Sequence, residues 1–88
     1  MAPIVLRAGG FSVRIYLPPR EHEPPHVHVV GVGGEAVITL GDANRPPALR
    51  EVYRLRAPEV LRAYRLVEEH QTELLAQWRK YHGGPSAE

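Results

Sequence analysis

The sequence predicts an α+β fold, in which an antiparallel sheet of four to five strands packs one face against a long C-terminal helix. Two observations support this prediction. Apolar and polar side chains alternate in the first two thirds of the chain, and the apolar period then changes to that of an amphipathic helix. The 88 residues predict a single domain over 1–88, with the sheet over about residues 3–55, the helix over about 58–82 and a short disordered tail over 83–88.

The strand predictions follow from hydrophobic period and turn residues. Residues 4–8 form a short apolar run that ends at a pair of glycines, which indicates a turn. Residues 11–17, 26–30 and 35–40 each alternate apolar with polar side chains, as half-buried strands do. A weaker fifth strand is predicted over residues 49–55. Its apolar side would carry Leu49, Tyr53 and Leu55.

The C-terminal third has the pattern of one amphipathic helix. Apolar residues recur at intervals of four and three positions from Val60 to Tyr81, and Pro58 suits the first helical position. A bend is expected near His70, where the apolar stripe becomes polar. A helix of this length spans about 37 Å, which is more than the width of a small sheet. We expect the end that carries Leu75, Trp78 and Tyr81 to overhang the sheet and to form a homodimer contact.

Composition excludes several classes of function. The chain has no cysteine, so it forms no disulfide, thiolate nucleophile or cysteine-ligated metal site. No apolar run approaches the roughly 20 residues that span a bilayer, and we expect a cytoplasmic protein without a membrane partner. The net charge of +1 does not by itself indicate nucleic-acid binding. Arginines over residues 7–20 and 45–56 can nevertheless form local basic patches.

Histidines near the third predicted strand are the main functional signal. His26 and His28 are two positions apart on a strand, so their side chains are expected to share one face. His22 precedes them across a loop that contains Pro24 and Pro25. If the valines face the helix, the opposite, solvent-exposed face of the sheet carries a polar set. That set is Arg14, Tyr16, His26, His28, Glu35 and Thr39.

One interpretation of this set is an RNase-like site that needs no metal. One imidazole takes the proton of a ribose 2′-hydroxyl, and the other protonates the leaving oxygen. His26 and His28 are the candidate catalytic pair. Candidate residues for binding nucleic acid or phosphate are Arg14, Tyr16 and Arg20. This interpretation predicts RNA as the partner and no cofactor.

Two other interpretations remain open. His22, His26 and His28 can be the ligands of a divalent metal such as zinc, because neutral imidazole is a common metal ligand. Alternatively, the histidines are ordinary polar residues on the solvated side of a sheet, and the protein acts by binding a partner protein through its helix end. His70 and His82 are expected to be ordinary helix residues, and Trp78 a core or interface aromatic residue.

The chain also resembles a family of small bacterial proteins that is catalogued as a domain of unknown function, family forty-one sixty. The most specific segment is the E-P-P-H-x-H core, which includes His26 and His28. The resemblance extends over PIVLR at 3–7, EPPHVHV at 23–29, EA at 35–36 and RLVEEH at 65–70. It implies a stand-alone cytoplasmic protein that is often encoded beside another small protein, in a toxin–antitoxin-like arrangement. It implies no particular activity, catalytic residue or cofactor.

Overall fold

The computed structural model describes residues 3–17 and 24–83, and these residues form a five-stranded sheet and two helices. The strands are β1 (Ile4–Ala8), β2 (Phe11–Arg14), β3 (His26–Gly31), β4 (Gly34–Thr39) and β5 (Ala48–Tyr53). The helices are α1 (Ala57–Glu69) and α2 (Gln71–His82). Each strand pairs antiparallel with its neighbours in chain order, β1-β2-β3-β4-β5. The α+β class and the fifth strand are therefore confirmed.

The hydrophobic core lies between one face of the sheet and the helices. Its sheet side is made of the apolar positions that alternation predicts, because successive strand residues point to opposite faces. The buried apolar residues of this core on the strands and just beyond them are Phe11, Val13, Ile15, Val27, Val29, Ala36, Ile38 and Leu40. The helices contribute Ala63, Val67, Leu74, Leu75 and Trp78.

The fifth strand contains a β-bulge that changes the predicted orientation of its side chains. Val37 of β4 pairs with Glu51, but the next residue, Ile38, pairs with Leu49. Arg50 is therefore an extra residue on β5, and the strand shifts its alternation at that point. The prediction that Leu49 and Tyr53 lie on the same side of the strand is wrong for this reason.

The prediction of one long C-terminal helix is only partly confirmed, because the region is helical but is interrupted at His70. This residue has φ −114° and ψ 20°, which is not helical, and its N–H lies near the carbonyls of both Leu66 and Val67. The second helix starts immediately, since the N–H of Leu74 donates to the carbonyl of His70 at 2.9 Å. The break occurs where the sequence predicts a bend, and it separates two helices of 13 and 12 residues.

The break places α2 against the chain's own core. Leu75 and Trp78 are buried within the chain, and Tyr81 is half-buried against the same cluster. The predicted overhang is therefore wrong for Leu75 and Trp78, since intrachain packing already covers them. A homodimer through this helix end stays a prediction. The exposed apolar residues on which that prediction was based are largely buried within the chain.

Neither helix in the described part of the chain is both long and apolar enough to cross a membrane. Cytoplasmic location and a single domain over residues 1–88 stay predictions. Of the tail predicted over residues 83–88, all but Gly83 lies outside the described residues.

Candidate acid–base site

A histidine–carboxylate pair joins β3 to β4. His28 pairs across the sheet with Val37, and Glu35 lies two residues before Val37, so His28 and Glu35 share a face. The Nδ1 atom of His28 lies 2.7 Å from Oε2 of Glu35. With the carboxylate ionised, Nδ1 carries the proton and donates it, and Nε2 is the lone-pair nitrogen of the ring. The side chains of His28 and Glu35 are 14% and 31% exposed.

The second histidine of the pair lies beside the first. The ring centroids of His26 and His28 are 5.4 Å apart, with the planes inclined at 61°. The Nδ1–H of His26 donates to the carbonyl of Pro24 at 2.9 Å, so Nε2 is again the lone-pair nitrogen. The structure thus confirms that the two histidines share one face. The prediction that this face is solvent-exposed is wrong for His26, which is only 4% exposed.

The C-terminal helix packs against His26. Trp78 of α2 approaches the His26 ring with a centroid distance of 5.2 Å. Trp78 in turn stacks on His82, with the rings 3.7 Å apart and only 7° from parallel. His82 anchors the end of the helix, because its Nε2–H donates to the carbonyl of Tyr16 at 2.7 Å. The turn of the chain at His70 thereby brings aromatic residues over one end of the predicted polar face.

Two further predicted residues lie next to His28. The Tyr16 ring is 4.3 Å from the His28 ring, centroid to centroid. Arg14 is the residue opposite His28 in the β2–β3 register, so the two side chains leave the sheet on the same face. The Nε atom of Arg14 is buried and has no hydrogen-bond partner among the residues that the structure describes. A cation of this kind beside an imidazole pair suits the binding of an anionic group.

Thr39 lies opposite His26 in the β3–β4 register and so shares the face of the two histidines, as predicted. Its hydroxyl donates to the carbonyl of Ala48. Arg20 and His22 lie outside the described residues. Within residues 3–17 and 24–83, no group of three or more His, Asp or Glu side chains has a metal-binding arrangement. The predicted three-histidine metal site needs His22, and it stays a prediction.

Sequence reasoning missed the role of His82, which it treated as an ordinary helix residue. His82 and Trp78 are four positions apart on α2, and this spacing places two side chains on one helix face. This spacing was the signal in the sequence from which the contact between Trp78 and His82 could have been predicted. The hydrogen bond to Tyr16 had no local signal, because it joins residues 66 positions apart.

The protein is therefore a small α+β protein with a histidine-rich face on its sheet. The end of its second helix packs against part of that face. The model of the family described as a domain of unknown function (DUF4160) matches residues 10–79. The chain therefore belongs to this family, and the resemblance is confirmed. None of the curated proteins and none of the solved structures matches the chain.

Proposed function

We propose that the protein is a small nucleic-acid-associated component with an RNase-like site, in which His26 and His28 transfer protons and Arg14 binds phosphate. The observation that carries the proposal is the contact of 2.7 Å between His28 Nδ1 and Glu35 Oε2, beside a second imidazole. A carboxylate in this position fixes the tautomer and orientation of an imidazole, as in the catalytic sites of hydrolases.

Both His28 and His26 exchange protons with the substrate in this proposal. His28 is the more exposed of the two, and its Nε2 is the nitrogen that exchanges a proton with a bound group. Glu35 is a positioning residue, since it acts through His28. The ring of His26 lies beside that of His28, and the Pro24 carbonyl fixes its orientation.

The reaction is a transesterification within RNA. As the 2′-oxygen attacks phosphorus, one neutral imidazole accepts the 2′-hydroxyl proton at its Nε2. The P–O5′ bond breaks while the other histidine, which starts as an imidazolium protonated at both nitrogens, gives its Nε2 proton to the departing O5′. The products are a 2′,3′-cyclic phosphate and a 5′-hydroxyl end. Arg14 lies on the same face as His28 and would stabilise the charge on the phosphoryl oxygens, together with Tyr16. The sequence adds Arg20 to this phosphate-binding set.

A role in a toxin–antitoxin-like pair is part of the proposal and is supported by the family resemblance. The partner would be a small protein encoded by a neighbouring gene. Leu75 and Trp78 are buried within the chain, so such a partner would not bind them at the helix end. Co-expression of the two proteins, followed by purification through one of them, tests this association. Failure to recover a complex would contradict it.

The chemical proposal is tested by incubating the purified protein with fluorescent single-stranded RNA of mixed sequence. We expect cleavage that leaves cyclic phosphate ends and that His28→Ala abolishes. Glu35→Gln should reduce the rate by no more than the roughly 100- to 10,000-fold that general acid–base catalysis contributes. His70→Ala is the matched control, because His70 also contacts a glutamate, Glu73, but lies at the junction of the two helices and not on the sheet face.

The proposal is contradicted if the native protein neither cleaves nor binds RNA, or if His28→Ala cleaves at the native rate. Arg14→Met separates binding from chemistry. It should weaken RNA binding while the protein stays folded, because the substitution leaves no buried Nε without a partner.

A metal-binding module is the second candidate function. The favouring observation is that both imidazoles donate Nδ1–H to an oxygen, Pro24 for His26 and Glu35 for His28. Metal-ligating histidines usually donate their other nitrogen in this way. We expect near-stoichiometric zinc in the purified protein if this function is correct, and its loss in the double variant His26→Ala/His28→Ala. Only trace metal, with no binding on titration, contradicts it.

A further inference from the structure

The last strand of the sheet, β5, has an open outer edge. In the described part of the chain, β5 pairs only with β4 and is the end of the strand order. All six of its residues are exposed. An open edge presents backbone N–H and C=O groups that can pair with another strand.

The bulge at Arg50 gives this edge an apolar side. It places Leu49 opposite Ile38 and Val52 opposite Ala36, so Leu49 and Val52 both face the helix side of the sheet. They are 47% and 39% exposed. Together with α1 they form a shallow groove of about 480 Å³. Its other lining residues are Leu55, Ala57, Val60, Leu61 and Tyr64.

We propose that this edge binds a second copy of the chain, with the two β5 strands antiparallel about a twofold axis between Arg50 and Glu51. In this register Arg50 lies opposite Glu51 of the second copy, and Leu49 lies opposite Val52 of the second copy. The interface is then isologous, as in most small homodimers. The two sheets join into one continuous sheet.

The residues of β5 are complementary to those of a second β5 strand in this register, so the partner that fits the edge is a second copy of the chain. Directly opposed residues of antiparallel strands share a face, so the register brings opposite charges together and apolar side chains together. Without the bulge, Leu49 and Val52 would lie on opposite faces, and no twofold register would pair them. The Tyr53 hydroxyl donates to Glu51 Oε1 at 2.5 Å, and a carboxylate has a second oxygen for Arg50 of the second copy.

The other edge of the sheet does not have these properties. The strand β1 carries Arg7 but no acidic residue. Its apolar residues Val5 and Leu6 are half-buried and already pack against the core. Pairing of two β1 strands would place like charges near each other without compensation.

The test is the mass of the native protein in solution, measured by sedimentation equilibrium over a range of concentrations. We expect a reversible monomer–dimer equilibrium. Arg50→Glu places two carboxylates opposite each other at two symmetric positions, and it should raise the dissociation constant by about tenfold or more. The double variant Arg50→Glu/Glu51→Arg restores opposite charges and should restore dimerisation.

Arg7→Glu is the matched control, because it makes the same charge change on the exposed face of the other edge strand. It should leave the dissociation constant unchanged. Hydrogen exchange provides a second measurement, in which the outward amides of β5 should become protected as concentration rises. A native protein that stays monomeric at millimolar concentration overturns the proposal. So does a dimer that is unaffected by Arg50→Glu, or a double variant that does not recover association.

Discussion

The Trp78 indole lies on the His82 imidazole with 3.7 Å between the ring centroids and 7° between the planes. Because His82 also donates to the Tyr16 carbonyl, this stack connects the end of α2 to the chain that leaves β2. On its other side, Trp78 contacts His26. The helix end therefore packs against the more buried member of the candidate acid–base pair.

The first prediction concerns the His82 contact. His82→Ala removes both the hydrogen bond and the stacked ring, and we expect it to lower the free energy of unfolding by about 1–2 kcal/mol. Urea unfolding followed by fluorescence measures this, since Trp78 is the one tryptophan in the chain. His82→Phe keeps a stacked ring but loses the hydrogen bond, so it should lower the free energy of unfolding by less than His82→Ala does. Equal stability of native protein and His82→Ala would disprove the anchoring role.

The second prediction concerns Gly41, in the loop between β4 and β5. Its φ is +67°, and a Cβ atom added there would lie 2.4 Å from the Arg45 carbonyl oxygen. Gly41→Ala should therefore destabilise the protein by more than the roughly 1–2 kcal/mol that left-handed backbone alone costs. Gly33→Ala is the control, because Gly33 has φ +86° with no atom within 4 Å of the added Cβ. Equal losses in both variants, measured by denaturant unfolding, would refute the close contact.

The third prediction concerns Gln71, the first residue of α2. Its Nε2 donates to the carbonyl of Leu40 at 2.7 Å and lies 3.0 Å from the carbonyls of Asp42 and Arg45. Gln71→Ala removes the side-chain donor from all three carbonyls, although those of Asp42 and Arg45 still accept from each other's backbone N–H. We expect a loss of about 1–3 kcal/mol in unfolding free energy.

Gln77→Ala is the matched control for Gln71→Ala, since Gln77 is a partly exposed glutamine on the same helix. Thermal unfolding of both variants makes the comparison. If the two substitutions cost the same, the side chain of Gln71 does not hold α2 to the loop.

The fourth prediction concerns the pKa of Asp42. The backbone N–H of Asn44 donates to its Oδ1 at 2.8 Å, and this hydrogen bond, more than the nearby Arg45, holds the pKa of Asp42 below its ordinary value of 3.8. A lowered pKa in the folded state means that the ionised form stabilises the fold above pH 3.8, and that this contribution is lost as pH falls through the lowered pKa.

An NMR titration of the Asp42 carboxyl measures how far the pKa is lowered in the native protein and in Arg45→Ala. Because the Asn44 amide is the larger cause, Arg45→Ala should return only part of the shift. Complete recovery of an ordinary pKa in Arg45→Ala would show that the arginine is the main cause instead.

The sequence by itself determined the elements and the composition of the polar face. The alternation of apolar and polar residues predicted that Val27 and Val29 lie in the core and that His26 and His28 share a face. Both predictions are confirmed, because they depend only on the two-residue period of a strand. The family relationship was also evident from short segments of sequence, and the family match over residues 10–79 confirms it.

Only the tertiary structure decided that the helix, for which the sequence predicts a bend near His70, divides there into two helices, and that β5 contains a bulge. The helix break at His70 has neither proline nor glycine to announce it, and it accompanies contacts of Gln71 with a loop about 30 positions away in sequence. The bulge at Arg50 depends on pairing with β4, which no local pattern describes. Both departures come from long-range contacts, which hydrophobic periodicity does not record. The helix break accompanies the packing of Trp78 against His26, and the bulge places Leu49 and Val52 on the same face of β5.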